Sequence, residues 1–284
     1  MQALNPERYR VTAYDLGEGL SRLVAEAPTI DVALIILHGR FGEDGTVQGL
    51  LELLGIPYQG SGVLGSALAM DKNLAKTMYR LHGLPVAPWE MAGREDIENP
   101  ARLLEGLQLP LVVKPVRQGS SIGMSIVREA SALSPALAKA FAHDRQVMVE
   151  QYIKGREITV GVIGNDLPVA LPLVEIIPDS KYEFFDYEAK YQPGATREVC
   201  PAQVSGEIRD KAQQYGLTAH RALQLRGYSR TDMIVSGDEV YLLETNTIPG
   251  MTPTSLLPQA AAACGMPFPA LLDRLIELAL EKQG

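Results

Sequence analysis

A lysine followed by a glycine- and serine-rich turn is the clearest chemical signal in this sequence. The stretch "VVKPVRQGSSIGMSIV" places Lys114 at the end of a β-type run. Gly119 and Gly123 flank a serine pair, and glycine lets backbone amides approach an anion closely. A lysine on a strand beside a glycine hairpin is one way to bind nucleotide phosphates. A solvated turn with a surface lysine would give the same pattern.

Acidic and amide side chains follow on two late strands, "YSRTDMIV" and "EVYLLETN". Arg230 and Asp232 are two residues apart, as are Glu244 and Asn246, so each pair shares one face of its strand. Oxygen ligands of this kind suit Mg²⁺, which also bridges nucleotide phosphates. A buried salt-bridge cluster is the alternative interpretation. Shortly afterwards, Gly250 offers a backbone N–H that could meet a developing oxyanion.

Three weaker signals accompany these. Glu150 and the backbone of 151–153 lie at a strand end that resembles an adenine-binding edge, and Glu157 could hold a ribose hydroxyl, although each carboxylate alone could simply lie on the surface. His38 begins a glycine-rich loop after a β-type run, the usual place for ligand contacts in parallel α/β domains. Gly60–Gly65 matches the dinucleotide pattern G-x-G-x-x-G, but lacks the acidic residue about 20 positions later. A plain turn between strand and helix explains it better.

The elements that must position these residues follow from hydrophobic periodicity. Strands at 9–15 and 31–37 around a helix at 17–27 predict a parallel βαβ unit. Further helices are predicted at 67–83, 99–106, 207–225 and 268–282, with strands between them. Residues 178–201 show no periodicity and predict a long functional loop or lid.

Composition limits the class of protein. The chain has 284 residues, a formal net charge of −8 and two cysteines. The acidic balance argues against a nucleic-acid or membrane-surface partner, and the apolar runs are too short to span a bilayer. The absence of a signal peptide and of cysteine clusters predicts a cytoplasmic protein without structural zinc.

Together the motifs resemble the D-alanine–D-alanine ligase family of the ATP-grasp superfamily. The resemblance runs through "LHGRFGEDGTVQGLLELLGIPYQGSG", "MDKNLAK", "VVKPVRQGSSIGMS", "FFDYEAKY", "GYSRTDM" and "LLETNTIPGMTPTSLLP" in the family's order. It implies an α/β and α+β ATP-grasp fold with three domains. These would be a parallel α/β substrate domain at 1–66, a central subdomain at 67–151, and a C-terminal subdomain at 152–284 with the metal and substrate sites.

The resemblance also implies roles for individual residues. The residues that would bind the phosphates, adenine or ribose of ATP are Lys72, Lys114, Ser121, Glu150, Gln151, Tyr152, Ile153, Glu157 and Lys190. Two Mg²⁺ ions, replaceable by Mn²⁺, would be bound by Asp232, Glu244 and Asn246. The substrate and its intermediate would meet Ser120, Tyr191, Arg230, Gly250, His38, Ser255 and Leu256, with 178–201 as the lid.

The implied activity is the ATP-dependent joining of two D-alanines through an acyl phosphate. The product would be a precursor for peptidoglycan synthesis, and the enzyme would be a homodimer. Family members begin with a strand and a "GGxSxE" turn, and this sequence starts after that turn, so we expect a truncated reading frame. Two alternatives follow. The chain could bind nucleotide with impaired or no ligase activity, or it could be an ATP-grasp ligase with a different acceptor.

Overall fold

The computed structural model describes residues 3–178 and 196–281. Its α-helices, in chain order, are α1 Ser21–Glu26, α2 Thr46–Leu53, α3 Val63–Met70, α4 Lys72–Leu81, α5 Ala101–Gly106, α6 Leu133–Phe141, α7 Gly206–Ala222, α8 Leu256–Ala263 and α9 Phe268–Leu280. Short 3₁₀ turns occur at Leu16–Glu18, Ala27–Thr29, Arg94–Ile97 and Ala130–Ala132. Across these ranges, none of the helices has the length and apolar character needed to cross a bilayer.

The strands form two antiparallel sheets. They are β1 Trp89–Ala92, β2 Leu111–Pro115, β3 Ser125–Val127, β4 Val147–Gln151, β5 Arg156–Ile163, β6 Val169–Ala170, β7 Val174–Pro178, β8 Thr196–Val199, β9 Tyr228–Ser236 and β10 Glu239–Asn246. The first sheet has the order β1-β4-β2-β3. The second has the order β10-β9-β5-β7-β8, with β6 paired to β5.

The four-stranded sheet has one apolar face and one face that turns toward a cleft. Because side chains alternate along a strand, Leu111 and Val113 of β2 and Val147 and Val149 of β4 pack together in one core with α5 and α6. The intervening residues of β2 and β4 therefore point to the opposite side. This alternation positions the first half of the site.

The six-stranded sheet buries its own core against α7 and α4. Ile158 and Val160 of β5, Met233 and Val235 of β9, and Leu242 of β10 all belong to this core. At Gly216 of α7 a Cβ would lie 2.4 Å from Val160 Cγ1, so a glycine is required where this helix crosses the sheet. The other face of β5, β9 and β10 is turned toward the same cleft.

The N-terminal region departs from the predicted parallel unit. The predicted strands at 9–15 and 31–37 are not formed; instead a single parallel bridge joins Ala33 to Tyr58. Beyond that bridge, the Ile35 N–H and C=O are paired by the side-chain amide of Gln59, at 2.7 Å each. A side chain therefore replaces the backbone partner that a ladder would supply. Ile35 is buried but Ile36 is 69% exposed, so this apolar segment is not covered on both sides.

Asp71 interrupts the helix that the sequence predicts over 67–83. Its backbone is extended (φ −89°, ψ 101°), and its carboxylate accepts a hydrogen bond from the Leu74 N–H, which makes it the N-cap of α4. Gly83, at φ 72°, follows the end of α4, where the pattern predicts a stop.

Two other elements differ from the predictions made from periodicity. Thr196–Val199 forms β8 and pairs with β7, so the predicted loop is shorter at its C-terminal end. Leu256–Ala263 is helical, which the sequence pattern did not predict. Gly60–Gly65 leads from the bridged segment into α3, and a Cβ on Gly65 would meet the Gln224 carbonyl oxygen at 2.9 Å. This glycine therefore serves helix packing.

Candidate active site

A cleft between the two sheets collects most of the predicted nucleotide-binding residues. From the four-stranded sheet it takes the face of β2 and β4 that carries Lys114 and Glu150, and from the six-stranded sheet the face that carries Glu157 and Asp232. The remaining walls include Lys72, Ser120, Ser121, Gln151, Tyr152, Ile153 and Glu244, together with the apolar residues Ala87, Val112, Ile126, Ile234 and Leu243.

A buried carboxylate with two ammonium groups lies at the inner wall of this cleft. Lys114 Nζ donates a hydrogen bond to Glu150 Oε1. Lys76 Nζ lies 2.9 Å from Glu150 Oε2 and forms an ion pair with it. Burial alone would raise the pKa of Glu150, and the two lysines overcome it and hold that pKa at about 2. Glu150 is therefore ionised at neutral pH.

The glycine hairpin is fixed at its base and adopts unusual backbone angles at its tip. Arg117 pairs with Asp71, and its backbone N–H donates to Asp144 at 2.8 Å. The consecutive residues Ser120 and Ser121 have φ values of 52° and 56°, in the left-handed region that non-glycine residues rarely adopt. Strained backbone of this kind concentrates at ligand-binding sites.

Lys72 joins the hairpin to the late strands. Its Nζ donates to the Gln118 carbonyl oxygen at 2.8 Å and lies 3.1 Å from Glu244 Oε2. It is the first residue of α4, and Asp71 caps that helix while also holding Arg117. Asp71 and Lys72 therefore connect the start of α4 to the base of the hairpin.

Asp232 is the centre of a second polar cluster. Arg230 makes two hydrogen bonds to its two carboxylate oxygens, each of 2.8 Å. The Thr159 hydroxyl and the Asn246 side-chain amide donate to the same carboxylate, at 2.7 and 3.1 Å. Burial lowers the pKa of Arg230, but the carboxylates of Asp232, Glu244 and Glu157 together raise it by more, so the arginine stays charged.

A β-bulge in β10 places Glu244 beside this cluster. Leu242 opposes Met233 and Glu244 opposes Asp232, so Leu243 is one residue too many in the register. Strict alternation from Leu242, which is in the core, would have turned Glu244 toward the core as well. The bulge instead turns Leu243 and Glu244 toward the cleft.

These donors suit a hard cation. Two carboxylates, Asp232 and Glu244, and the Asn246 amide offer oxygen ligands from adjacent strands, as predicted. Over residues 3–178 and 196–281, no group of three or more His, Cys, Asp or Glu side chains is close enough to hold a metal. This set matches an ion that uses one or two carboxylates and takes its remaining ligands from water and phosphate, as Mg²⁺ does.

The loop that begins at His38 reaches the same region. Glu43 accepts a hydrogen bond from the Gly39 N–H at 2.5 Å, which closes the loop on itself. Burial raises the pKa of Glu43, and the charges of His38, Glu244 and Arg230 all act on it. His38 itself is exposed and is not part of the cleft wall between the sheets.

The segment after β10 forms the other boundary of the site. A Cβ on Gly250 would lie 2.9 Å from Ser255 Oγ, so the two are in close approach. Ser255 precedes α8, and its Oγ accepts from the Thr252 N–H at 3.1 Å. Leu256 is the first residue of α8 and is 8% exposed. Neither Ser255 nor Leu256 lines the cleft between the sheets.

Some relevant residues fall outside these predictions or outside the described residues. Lys190 and Tyr191 lie outside the described residues. Sequence reasoning missed Lys76 and Thr159. Lys76 follows Lys72 by four residues in an amphipathic helix, so a lysine on the helix face that carries Lys72 was the available signal.

Comparisons with known proteins agree with this geometry. The family model "D-ala D-ala ligase N-terminus" matches residues 2–61, and "D-ala D-ala ligase C-terminus" matches residues 78–277. A D-alanine–D-alanine ligase of Syntrophobacter fumaroxidans is 61% identical over 98% of this chain and 90% of its own length.

Solved structures give the same picture. The D-alanine–D-alanine ligase of Bacillus anthracis complexed with ATP superposes with a TM-score of 0.83 and 36% identity, covering 98% of this chain and 89% of that one. A D-Ala:D-Ser ligase of Enterococcus faecalis gives a TM-score of 0.80 and 38% identity, over 88% and 73% of the two chains. With these matches, the predicted ATP-grasp architecture is confirmed, and the chain belongs to the D-alanine–D-alanine ligase family.

Proposed function

We propose that this protein joins two D-alanine molecules into D-alanyl-D-alanine, with cleavage of ATP to ADP and phosphate. The observation that carries the proposal is one cleft in which a glycine-serine hairpin, two lysines and a pair of carboxylates converge from two sheets. The 61% identity to a D-alanine–D-alanine ligase over nearly the whole chain supports it. The product would serve peptidoglycan precursor synthesis in the cytoplasm.

ATP fits the inner part of the cleft. Glu150 lines the inner wall of the cleft, where its carboxylate would lie near the adenine. Val112, Ile234 and Leu243 offer apolar walls for a flat ring. Gln151, Tyr152 and Ile153 would contribute backbone contacts to the base, and Glu157 would bind the ribose.

The phosphates would lie under the hairpin. Lys72 and Lys114, with Lys190 from outside the described residues, supply the positive charge, and Ser121 supplies a backbone or hydroxyl donor. Two Mg²⁺ ions, or Mn²⁺ in their place, would be held by Asp232, Glu244 and Asn246. Bound there, they would neutralise phosphate charge, which is the main demand of phosphoryl transfer.

The chemistry requires two bond exchanges. A carboxylate oxygen of the first D-alanine forms a bond to the γ-phosphorus while the bond to the β-γ bridging oxygen breaks, and ADP leaves. The amine nitrogen of the second D-alanine then bonds to the carbonyl carbon, phosphate leaves, and the amine proton passes to solvent. Arg230 and the Gly250 N–H would stabilise the negative oxygen of that second step.

The remaining predicted residues would position the amino acids. His38 would lie near the first D-alanine, and Ser255 and Leu256 at the carboxylate of the second. Ser120 and Tyr191 would join in a substrate-orienting hydrogen bond. We also propose the three domains 1–66, 67–151 and 152–284, and a homodimer.

Phosphate release is the direct test. We expect release that requires ATP, Mg²⁺ and D-alanine together, little response to L-alanine, and D-alanyl-D-alanine detected by mass spectrometry. Glu244→Gln should abolish turnover, whereas Glu239→Gln, an exposed residue on the same strand, should not change it. Retained turnover in Glu244→Gln would refute the metal assignment.

The two alternatives give different results in the same assays. A nucleotide-binding protein without ligase activity would be thermally stabilised by ATP but would form no dipeptide. A ligase with another acceptor would release phosphate with a different second amino acid. D-serine belongs in the acceptor panel because the similar Enterococcus faecalis protein is a D-Ala:D-Ser ligase.

A further inference from the structure

A fully buried lysine behind the nucleotide cleft has no role in the function proposed above. Lys76 lies one helical turn after Lys72 in α4, and its side chain is 0% exposed. It does not line the cleft, so it cannot contact a bound nucleotide. Its Nζ lies 2.9 Å from Glu150 Oε2 and donates to the Leu242 carbonyl oxygen at 3.3 Å.

The charges of this cluster do not cancel. Glu150 carries one negative charge, and Lys76 and Lys114 each carry one positive charge, which leaves a net charge of +1. The two lysines differ in access: Lys114 has 11% of its side chain exposed and lines the cleft, whereas Lys76 has none. Burial lowers the pKa of Lys76, and the Glu150 carboxylate acts in the opposite direction.

We propose that Lys76 is a positioning residue that neutralises Glu150 from behind and so leaves the charge of Lys114 available to an anionic ligand. Without Lys76, Lys114 would be the sole counter-ion of a buried carboxylate, and a phosphate would have to compete with that carboxylate for it. Breaking a buried pair from one side is strongly unfavourable, so the competition would favour Glu150.

This inference rests on the proposed nucleotide site, and it predicts a ligand-dependent effect. ADP carries phosphate and needs the charge of Lys114, whereas adenosine has no phosphate and does not. Lys76→Met should therefore weaken ADP binding by at least about tenfold and change adenosine binding by less than about threefold. A lysine that only supported the fold would weaken both ligands equally.

Neutralising Glu150 supplies an independent test of the same idea. In Glu150→Gln the carboxylate no longer holds Lys114, so Lys76 loses its function. Adding Lys76→Met to Glu150→Gln should then weaken ADP binding by less than about threefold. The double variant also removes both buried charges together, which keeps the test usable if Lys76→Met alone does not fold.

The measurement is isothermal titration calorimetry of the full chain with ADP, and adenosine by competition, for the parent and the three variants. Lys211→Met, which removes a lysine of α7 bonded to the Asp238 carbonyl, is the control and should bind ADP like the parent. Equal losses for ADP and adenosine, or a tenfold loss on adding Lys76→Met to Glu150→Gln, would overturn the proposal.

Failure of the proposed function would look different. If ADP binding follows the predicted pattern but the parent protein forms no dipeptide, the proposed ligase activity is refuted and the role of Lys76 is supported. If the parent forms the dipeptide but Lys76→Met binds ADP normally, the role of Lys76 is refuted and the ligase activity is supported.

Discussion

Replacing Asp232 by asparagine removes the carboxylate on which Arg230, Thr159 and Asn246 all converge. Asparagine has nearly the same shape, so the change is mainly one of charge. Arg230 and Asp232 are 16% and 7% exposed, which leaves little solvent to compensate the arginine once its partner is neutral. The expected result is a less stable protein even without any ligand.

The magnitude follows from the contact distance. Two unit charges 2.8 Å apart attract by about 6 kcal/mol at an effective dielectric constant of about 20. Breaking a buried pair from one side has a cost of about 3–5 kcal/mol. Asparagine keeps one oxygen acceptor for the Thr159 hydroxyl, so we expect the lower end, about 3 kcal/mol. For a chain of this size that corresponds to about 5 °C in Tm.

Denaturation in urea, followed by circular dichroism without Mg²⁺ or nucleotide, measures this change. Asp238→Asn removes an exposed carboxylate just beyond the same strand and should stay within about 0.5 kcal/mol of the parent. If Asp232→Asn unfolds within about 1 kcal/mol of the parent at the same m-value, the ion pair contributes little and the electrostatic reasoning is wrong.

Two further predictions concern a buried histidine and the hairpin glycines. Burial, and to a lesser extent Arg221, lowers the pKa of His220 to about 4. In the unfolded chain the histidine has its ordinary pKa of about 6.5 and therefore binds a proton more readily. The free energy of unfolding should therefore fall by up to about 3 kcal/mol as pH drops from 6.5 to 4. His220→Asn should remove that component from urea denaturation curves measured across this pH range, and an unchanged slope would contradict the assignment. Gly123→Ala should cost about 1–3 kcal/mol, because Gly123 has φ 74° and a Cβ there would lie 2.8 Å from His143 Cδ2, whereas a Cβ on Gly119 meets nothing within 4 Å. Equal Tm values for Gly123→Ala and Gly119→Ala would show that the hairpin does not depend on this turn.

The sheet that carries Lys114 could be predicted because its strands follow a simple rule. Alternation along β2 and β4 separates apolar residues from Lys114 and Glu150, and the structure keeps that separation. The same rule paired Asp232 with Arg230 on one face of β9. In each case a local period of two was sufficient, and no long-range information was needed.

Other features depend on contacts that a local pattern does not encode. The bulge at Leu243 arises from pairing between β10 and β9, so alternation alone would have placed Glu244 wrongly. The strand predicted at 31–37 has the right composition, but a strand exists only where a neighbour pairs with it, and here Gln59 supplies part of that pairing. Lys76 was missed because burial of a lysine depends on Glu150, which lies far away in sequence.

The extra residue in β10 also constrains how this strand can change during evolution. Val240 and Leu242 lie in the core, whereas Glu244 lines the cleft and Asn246 donates to Asp232 on the same side, although all four are even-numbered. Losing Leu243 would restore a regular strand in which Glu244 directly follows Leu242 and still pairs with Asp232, so its carboxylate would stay on the cleft face. Regular pairing without that deletion would instead turn either Glu244 into the core or Leu242 toward the cleft, because the strand would then have one residue too many for both. A relative with a one-residue gap at this point is accordingly expected to have a regular strand and to keep the carboxylate in the cleft.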